Sequence, residues 1–151
     1  MRLDDIDWAI LDHLQRDGRV GFRELGRRVG LSAPAATARV RRLEEAGIIS
    51  GYRAVLDPAR LGLPVLAFVR VSSASGVGAD EEFVEAVRRL PEIREAHRVT
   101  GAETYLLQVL VSSVHDLERI LRPLWKFGDT VTGLVMSTVV DDRPITRDMA
   151  G

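Results

Sequence analysis

Seven arginines and a single acid lie between Arg19 and Arg42, an excess of six positive charges in a chain whose formal net charge is −1. Guanidinium groups bind phosphates and guanine edges through paired hydrogen bonds, so a cluster of this sign and type is suited to holding nucleic acid. Only one of the 21 basic residues is a lysine, Lys126. Other chemistries find less support. His13, His97 and His115 are far apart and none stands in a metal-ligand spacing such as HExxH. Gly76-Val77-Gly78 is followed by neither GK[ST] nor the remaining glycines of a dinucleotide loop, and no serine sits in a nucleophile elbow. With no cysteine, disulfides, thiolate clusters and zinc fingers are excluded. The residues point to binding rather than catalysis, with no cofactor and no metal.

The charge is localised. Residues 1–18 carry five acids and two bases, whereas residues 57–151 carry 14 acids and 11 bases. A protein gripping nucleic acid along its whole surface would spread its arginines; this chain confines them to one module. At 151 residues and 46% hydrophobic the chain can bury a core in one domain or two small ones. It has no run of 18 apolar residues and no secretory leader pattern at its start, so a cytoplasmic, nucleoid-associated location is expected.

The arginines need helices to present them. Asp4 can cap a first helix with Asp7 at its N3 position, and Ile6, Ile10 and Leu14 mark its inner face. A second helix is expected over 21–29, closed by Gly30 as a left-handed cap. Ser32 then caps a third helix that tolerates Pro34 in its first turn. On it Ala36, Val40 and Leu43 line the inner stripe. Thr37, Ala38 and Arg41 lie opposite, with Arg39 and Arg42 on the flanks. A short helix, a tight turn and an arginine-studded second helix is the layout of a helix-turn-helix. The small side chains of Ala35 and Ala38 would let the duplex approach, and Arg41 would reach a base edge. Gly47 ends the helix, and residues 48–52 with 54–56 are expected to form a two-stranded wing.

Two prolines and a glycine within residues 57–64 mark a linker. Beyond it the pattern reads strand–helix–strand twice. Strands are expected over 65–71, 93–100, 104–111 and 131–140. Helices are expected over 80–90 and from a Ser113 cap to about Trp125. Two such units make a βαββαβ ferredoxin-like sandwich, α+β in class, with one sheet face covered by helices and the other open. An open apolar face needs a cover, and a second copy of the chain is the simplest. The expected domains are a winged helix-turn-helix over 1–56, a linker over 57–64, the sandwich over 65–140 and a tail over 141–151.

The run RLEEAGIISGYRAVLDPARLG after the third helix, in register with VTGAETYLLQV at the centre of the second half, resembles the Lrp/AsnC (feast/famine) regulators. The likeness extends from Leu3 to about Val140. It implies a transcriptional regulator that dimerises through the second domain, assembles further into octamers, and binds a small effector, commonly an amino acid, between dimers. The effector loop is implied at Thr100, Gly101, Ala102, Glu103, Thr104 and Tyr105, with Met136, Ser137 and Thr138 on the last strand as further candidates for the same cleft. The DNA contacts implied are Ser32, Thr37, Ala38, Arg39, Arg41 and Arg42. One departure stands out. Where the family often reads Gly-Asp-x-Asp-Tyr, this chain has Ala102 and Thr104 at the acidic positions and a carboxylate at Glu103 instead. Two other readings remain: an architectural, nucleoid-type binder with no effector, and a metabolite-sensing subunit of an enzyme.

Overall fold

A computed structural model describes residues 1–73 and 79–150; Gly76-Val77-Gly78 lies outside them. The chain divides into two compact units, Met1–Val55 with Val140–Gly151, and Leu56–Val139.

The first unit is built on three helices, α1 (Asp5–Arg16), α2 (Phe22–Val29) and α3 (Ala33–Glu45). Asp4 caps α1 in a reciprocal capping box with Asp7, each carboxylate accepting from the other's backbone N–H at 2.8 and 3.2 Å. Between α2 and α3 the chain turns through Gly30 (φ 72°), and the Leu31 N–H closes back on the Gly26 carbonyl at 2.8 Å. That closure leaves no room on Gly26: a Cβ there would lie 2.6 Å from the Leu31 carbonyl oxygen. Ile10, Leu25, Val40 and Leu43 are fully buried together, with Leu3, Ile6, Leu14, Val29 and Ile49 packed around them. This core joins all three helices and fixes the side of α3 that faces outward.

The expected wing is not formed in the single chain. Residues 48–56 contain no strand, and Val55 and Leu56 are exposed. Ile49 packs back onto the helical core and the Tyr52 hydroxyl donates to Glu44 at 3.0 Å, which ties down the start of the segment only. A two-stranded ribbon is marginal unless one face is packed, and here the apolar side chains have nothing to pack on. Residues 140–150 complete this unit, ending in a single helical turn, α6 (Arg147–Ala150), which the sequence pattern did not indicate.

The second unit is a four-stranded antiparallel sheet of β1 (Val65–Ser73), β2 (Ile93–Arg98), β3 (Tyr105–Val111) and β4 (Gly128–Leu134), in the order β2-β3-β1-β4. Helices α4 (Ala79–Arg88) and α5 (Val114–Leu121) make it the expected βαββαβ sandwich. Along β3, Tyr105, Leu107, Val109 and Val111 are buried while the residues between them are half-buried. The buried set packs with Ala67, Val69 and Val71 of β1, Phe83 and Val87 of α4, and Leu117, Ile120 and Leu121 of α5. The alternation assigns the opposite face, with Phe68 and Arg70, to the uncovered side.

Most boundaries fall within two residues of expectation, and two differ by more. α5 stops at Leu121 and continues as a 3₁₀ turn to Phe127, because Pro123 has no N–H to extend the α-helical ladder. The last strand covers Gly128–Leu134 rather than 131–140. It pairs with β1 from Ser73 back to Ala67, and after the Val135 N–H reaches the Leu66 carbonyl at 2.9 Å the strand it leans on runs out. Met136, Ser137 and Thr138 therefore lie beyond the sheet.

Candidate functional site

The outward face of α3 is set by its inward one. With Ala36, Val40 and Leu43 buried, helical spacing turns Pro34, Ala38 and Arg41 to solvent. Ser32 caps the helix by accepting from the Ala35 N–H at 3.3 Å. The Thr37 hydroxyl is occupied within the helix, donating to the Ala33 carbonyl at 2.9 Å.

The three arginines of α3 are not equivalent. Arg39 reaches back to α1, donating to Asp4 at 2.6 Å and to Asp7 at 2.9 Å, and Arg42 donates to Asp7 at 2.8 Å. Asp7 is only 1% exposed. Its carboxylate accepts from both guanidinium groups and from the Asp4 N–H, so the buried charge is fully partnered. The Arg39 guanidinium holds the Asp4 carboxyl below the usual range, and its bonds to Asp4 and Asp7 raise its own pKa further. Arg41 is exposed and makes no ion pair among the described residues. On α2, Arg27 and Arg28 both donate to Glu24 and pull it down to about 2. The nominal cluster thus separates into arginines neutralised by acids of their own unit and those presented to solvent, Arg19 before α2, Arg23 on α2 and Arg41 on α3. Sequence reading could count these charges but not their partners. Asp7 had a signal only as a capping residue.

In the second unit residues 99–104 join β2 to β3. Gly101 adopts φ 124°, a conformation that favours glycine. Thr104 is fixed by its backbone, its N–H bonding to the Val71 carbonyl at 2.8 Å and its carbonyl accepting from Val99 at 3.0 Å. Thr100, Gly101 and Ala102 are exposed. Glu103 faces Arg70 of β1, which donates to it at 3.2 Å. Tyr105, in contrast, belongs to the helix-covered core. Its ring packs on Phe83 with centroids 4.4 Å apart, and its hydroxyl accepts from Arg98 at 2.8 Å and donates to Asp80 of α4. Asp80 and Arg98 also form an ion pair.

The loop motif is therefore divided. Glu103 pairs with Arg70, whose neighbours along β1 show it to be on the open face, while the Tyr105 side chain is on the covered one. Met136 is 93% exposed, and Ser137 and Thr138 are exposed as well. The structure does not bring these three into contact with the loop's side chains. Arg70 was missed at the sequence level, although it is the one charged residue in the apolar run of β1 and could have been singled out for that reason.

His97 contacts Glu95 at 3.2 Å, and His13 and His115 lie on α1 and α5. Among the described residues no group of three or more His, Cys, Asp or Glu is placed to hold a metal, and no helix is long and apolar enough to cross a membrane.

Residues 3–44 match the AsnC-type helix-turn-helix domain, and residues 66–145 match the Lrp/AsnC ligand binding domain. The HTH-type transcriptional regulator LrpC of Bacillus subtilis is 38% identical over 140 residues, covering 92% of this chain and 95% of that protein. The leucine-responsive regulatory protein of Escherichia coli is 42% identical over 142 residues, covering 91% and 87%. Among solved structures, B. subtilis LrpC superposes with a TM-score of 0.84 at 36% identity, covering 93% of this chain and 99% of that one. A transcriptional regulator from Neisseria meningitidis in complex with L-Met superposes with a TM-score of 0.89 at 32% identity, covering 95% and 96%. A helix-turn-helix with an outward-facing arginine, a βαββαβ sheet open on one side, and likeness across both units lead to one conclusion: the chain belongs to the Lrp/AsnC family of transcriptional regulators.

Proposed function

We propose that this regulator works as a homodimer, or an assembly of dimers, that sets paired α3 helices into successive major grooves and changes its DNA occupancy when an amino acid binds beside Glu103. The observation that carries the DNA half is the outward stripe of α3, where Arg41, exposed and with no ion pair among the described residues, stands near the small side chain of Ala38. Phosphate contacts would supply much of the affinity and base-edge contacts from Arg41 the register. Arg39 and Arg42, bonded to α1, would act on phosphates only by exchanging a carboxylate for one.

On the ligand side, Glu103 and Arg70 are charges of opposite sign 3.2 Å apart. A free amino acid carries the same two charges. Its ammonium would pair with Glu103 and its carboxylate with Arg70 or with backbone N–H groups near Gly101, replacing one ion pair with two. The open sheet face supports a second copy as its cover, and the L-Met complex of the N. meningitidis relative supports an amino acid as effector. Such a protein would act in the cytoplasm, on the nucleoid, as a regulator rather than an enzyme.

Two measurements test this. Operator sequences selected from random duplexes should bind Arg41→Ala more weakly by roughly 1–3 kcal/mol, with unchanged thermal stability. Unchanged affinity would remove Arg41 from the contacts. A thermal-shift screen against the twenty amino acids should give a hit that raises the melting temperature. Glu103→Ala should abolish that shift. No hit at millimolar concentration would favour the architectural binder, in which the Glu103–Arg70 pair is only structural.

A further inference from the structure

The end of the chain packs on the DNA-binding unit by an unusual means. The side-chain amide of Gln15, on α1, makes a reciprocal pair of bonds with one backbone residue: Gln15 Nε2 donates to the Ile145 carbonyl at 3.0 Å, and the Ile145 N–H donates to Gln15 Oε1 at 2.8 Å. Arg147 pairs with Asp5 at the other end of the same helix. Between α1 and the segment after α3 runs a groove of about 290 Å³, lined by Trp8, Leu11, Leu14, Ile49, Tyr52 and Ile145 among others. The chain turns into this contact at Asp142, the one non-glycine among the described residues with positive φ (29°).

The contact is built to be weak. Ile145 is 61% exposed and the Asp5–Arg147 pair is solvated, so a single glutamine amide supplies most of the specific bonding. Connectivity gives that weak contact leverage. The chain leaves the helical unit after Val55, builds the whole ligand-binding unit, and returns at Val140. Val135 is still bonded to the sheet and Ile145 is already bonded to α1, so only residues 136–144 lie between.

We propose that residues 140–150 are a releasable strap: docked through Gln15, they give the DNA-binding unit a second tether to the ligand-binding sheet, and undocked they leave it on the 57–64 connection alone. Docking narrows the range of positions the unit samples, and release widens it. The strap begins six residues after β4 ends, so a ligand or partner that moves the end of that strand acts on it through residues 135–139. The inference does not depend on the identity of the effector or on DNA contacts.

The chain has two tryptophans, Trp8 in the groove and Trp125 in the other unit, so full-length Trp125→Phe carries a single reporter at the docking site. In that background we expect Gln15→Ala, and separately a chain ending at Val139, to raise acrylamide quenching of Trp8. Both should also shorten the slow phase of its time-resolved anisotropy. Far-ultraviolet circular dichroism should stay the same, since Gln15 is an exposed helical position where alanine is favourable. Hydrogen exchange at the Ile145 amide should be slowed in the parent and fast in Gln15→Ala. Gln15→Glu, which can still accept from Ile145 but cannot donate to it, should fall between them. Identical Trp8 quenching in the shortened and full chains would show that the strap does not occupy the groove. A changed quenching with unchanged anisotropy would show that it docks without restraining the unit. Either result overturns the proposal.

Discussion

Helix α3 and the loop between β2 and β3 both carry charged residues on short sequence motifs, yet the fold treats them in opposite ways. On α3 a buried stripe of Ala36, Val40 and Leu43 dictates which residues face outward, and capping by Ser32 fixes where the helix begins. In the loop no periodicity orients anything. Its side chains go where neighbouring strands send them, Glu103 to Arg70 and Tyr105 into the core behind the sheet. A site on a regular element inherits its orientation from the core, whereas a site on a loop takes it from whichever partners happen to be near.

The separation of the two cores offers the strongest way to break that comparison. Leu107 is fully buried at the centre of the sheet. Leu107→Ala should destabilise the ligand-binding unit by about 2–5 kcal/mol. Denaturant unfolding followed at Trp125, in a Trp8→Phe background, should show the loss. Followed at Trp8, in a Trp125→Phe background, the transition should hardly move. A joint shift of both transitions would mean that the units unfold as one, and that α3 is not oriented by its own core alone.

Gly26→Ala sharpens the same point within the helical unit. The added Cβ meets the Leu31 carbonyl at 2.6 Å, and that oxygen belongs to backbone, which cannot swing aside. Overpacking of this kind costs about 1–3 kcal/mol and should shift α2 against α3. Thermal stability should fall and DNA affinity should fall with it, in contrast to Arg41→Ala, which should affect affinity alone. Ser32→Ala is a milder test of helix placement, expected to cost about 1 kcal/mol through the lost N-cap bond.

The same contrast explains what could be read from the sequence. The helix starts, the glycine stops and the order βαββαβ were all visible because each rests on local rules: caps, left-handed glycines and a change of period from 3.6 to 2. The failures share a cause. The end of β4 at Leu134 is set by where β1 begins, at Val65, far earlier in the chain, and the missing wing by the absence of anything to pack on residues 54–56. The pairing of Arg39 and Arg42 with Asp7 spans more than thirty residues and carries no periodic signature. The docking of residues 140–150 on α1 is longer in range still. Local chemistry reports on elements, and long-range partners decide which side chains remain available.

Acid titration separates the two units by the kind of bond that lowers their shifted carboxyls. In the helical unit Glu24 is pulled down to about 2 by Arg27 and then Arg28, and Asp4 is lowered chiefly by its bond from Arg39. In the sheet unit Asp116 is lowered first by the hydroxyls of Ser112 and Ser113, with Arg119 a lesser cause. A carboxyl whose pKa is depressed in the folded state stabilises the fold above its unfolded value, and that contribution disappears as pH falls through the folded one. For Glu24 the window runs from about 4.5 down to about 2. The Trp8-reported melting temperature should therefore fall across that window, and Glu24→Gln should flatten the decline. Because these ion pairs are exposed, added salt should lower the helical unit's stability at neutral pH and so reduce what remains to be lost in acid. Hydroxyl bonds to Asp116 are short-range and little screened, so the Trp125-reported profile should keep its acid slope at high salt. If salt flattened both profiles alike, the distinction between ion-paired and hydroxyl-bonded carboxylates would fail, and with it the claim that arginine partners neutralised within the helical unit set its response to acid.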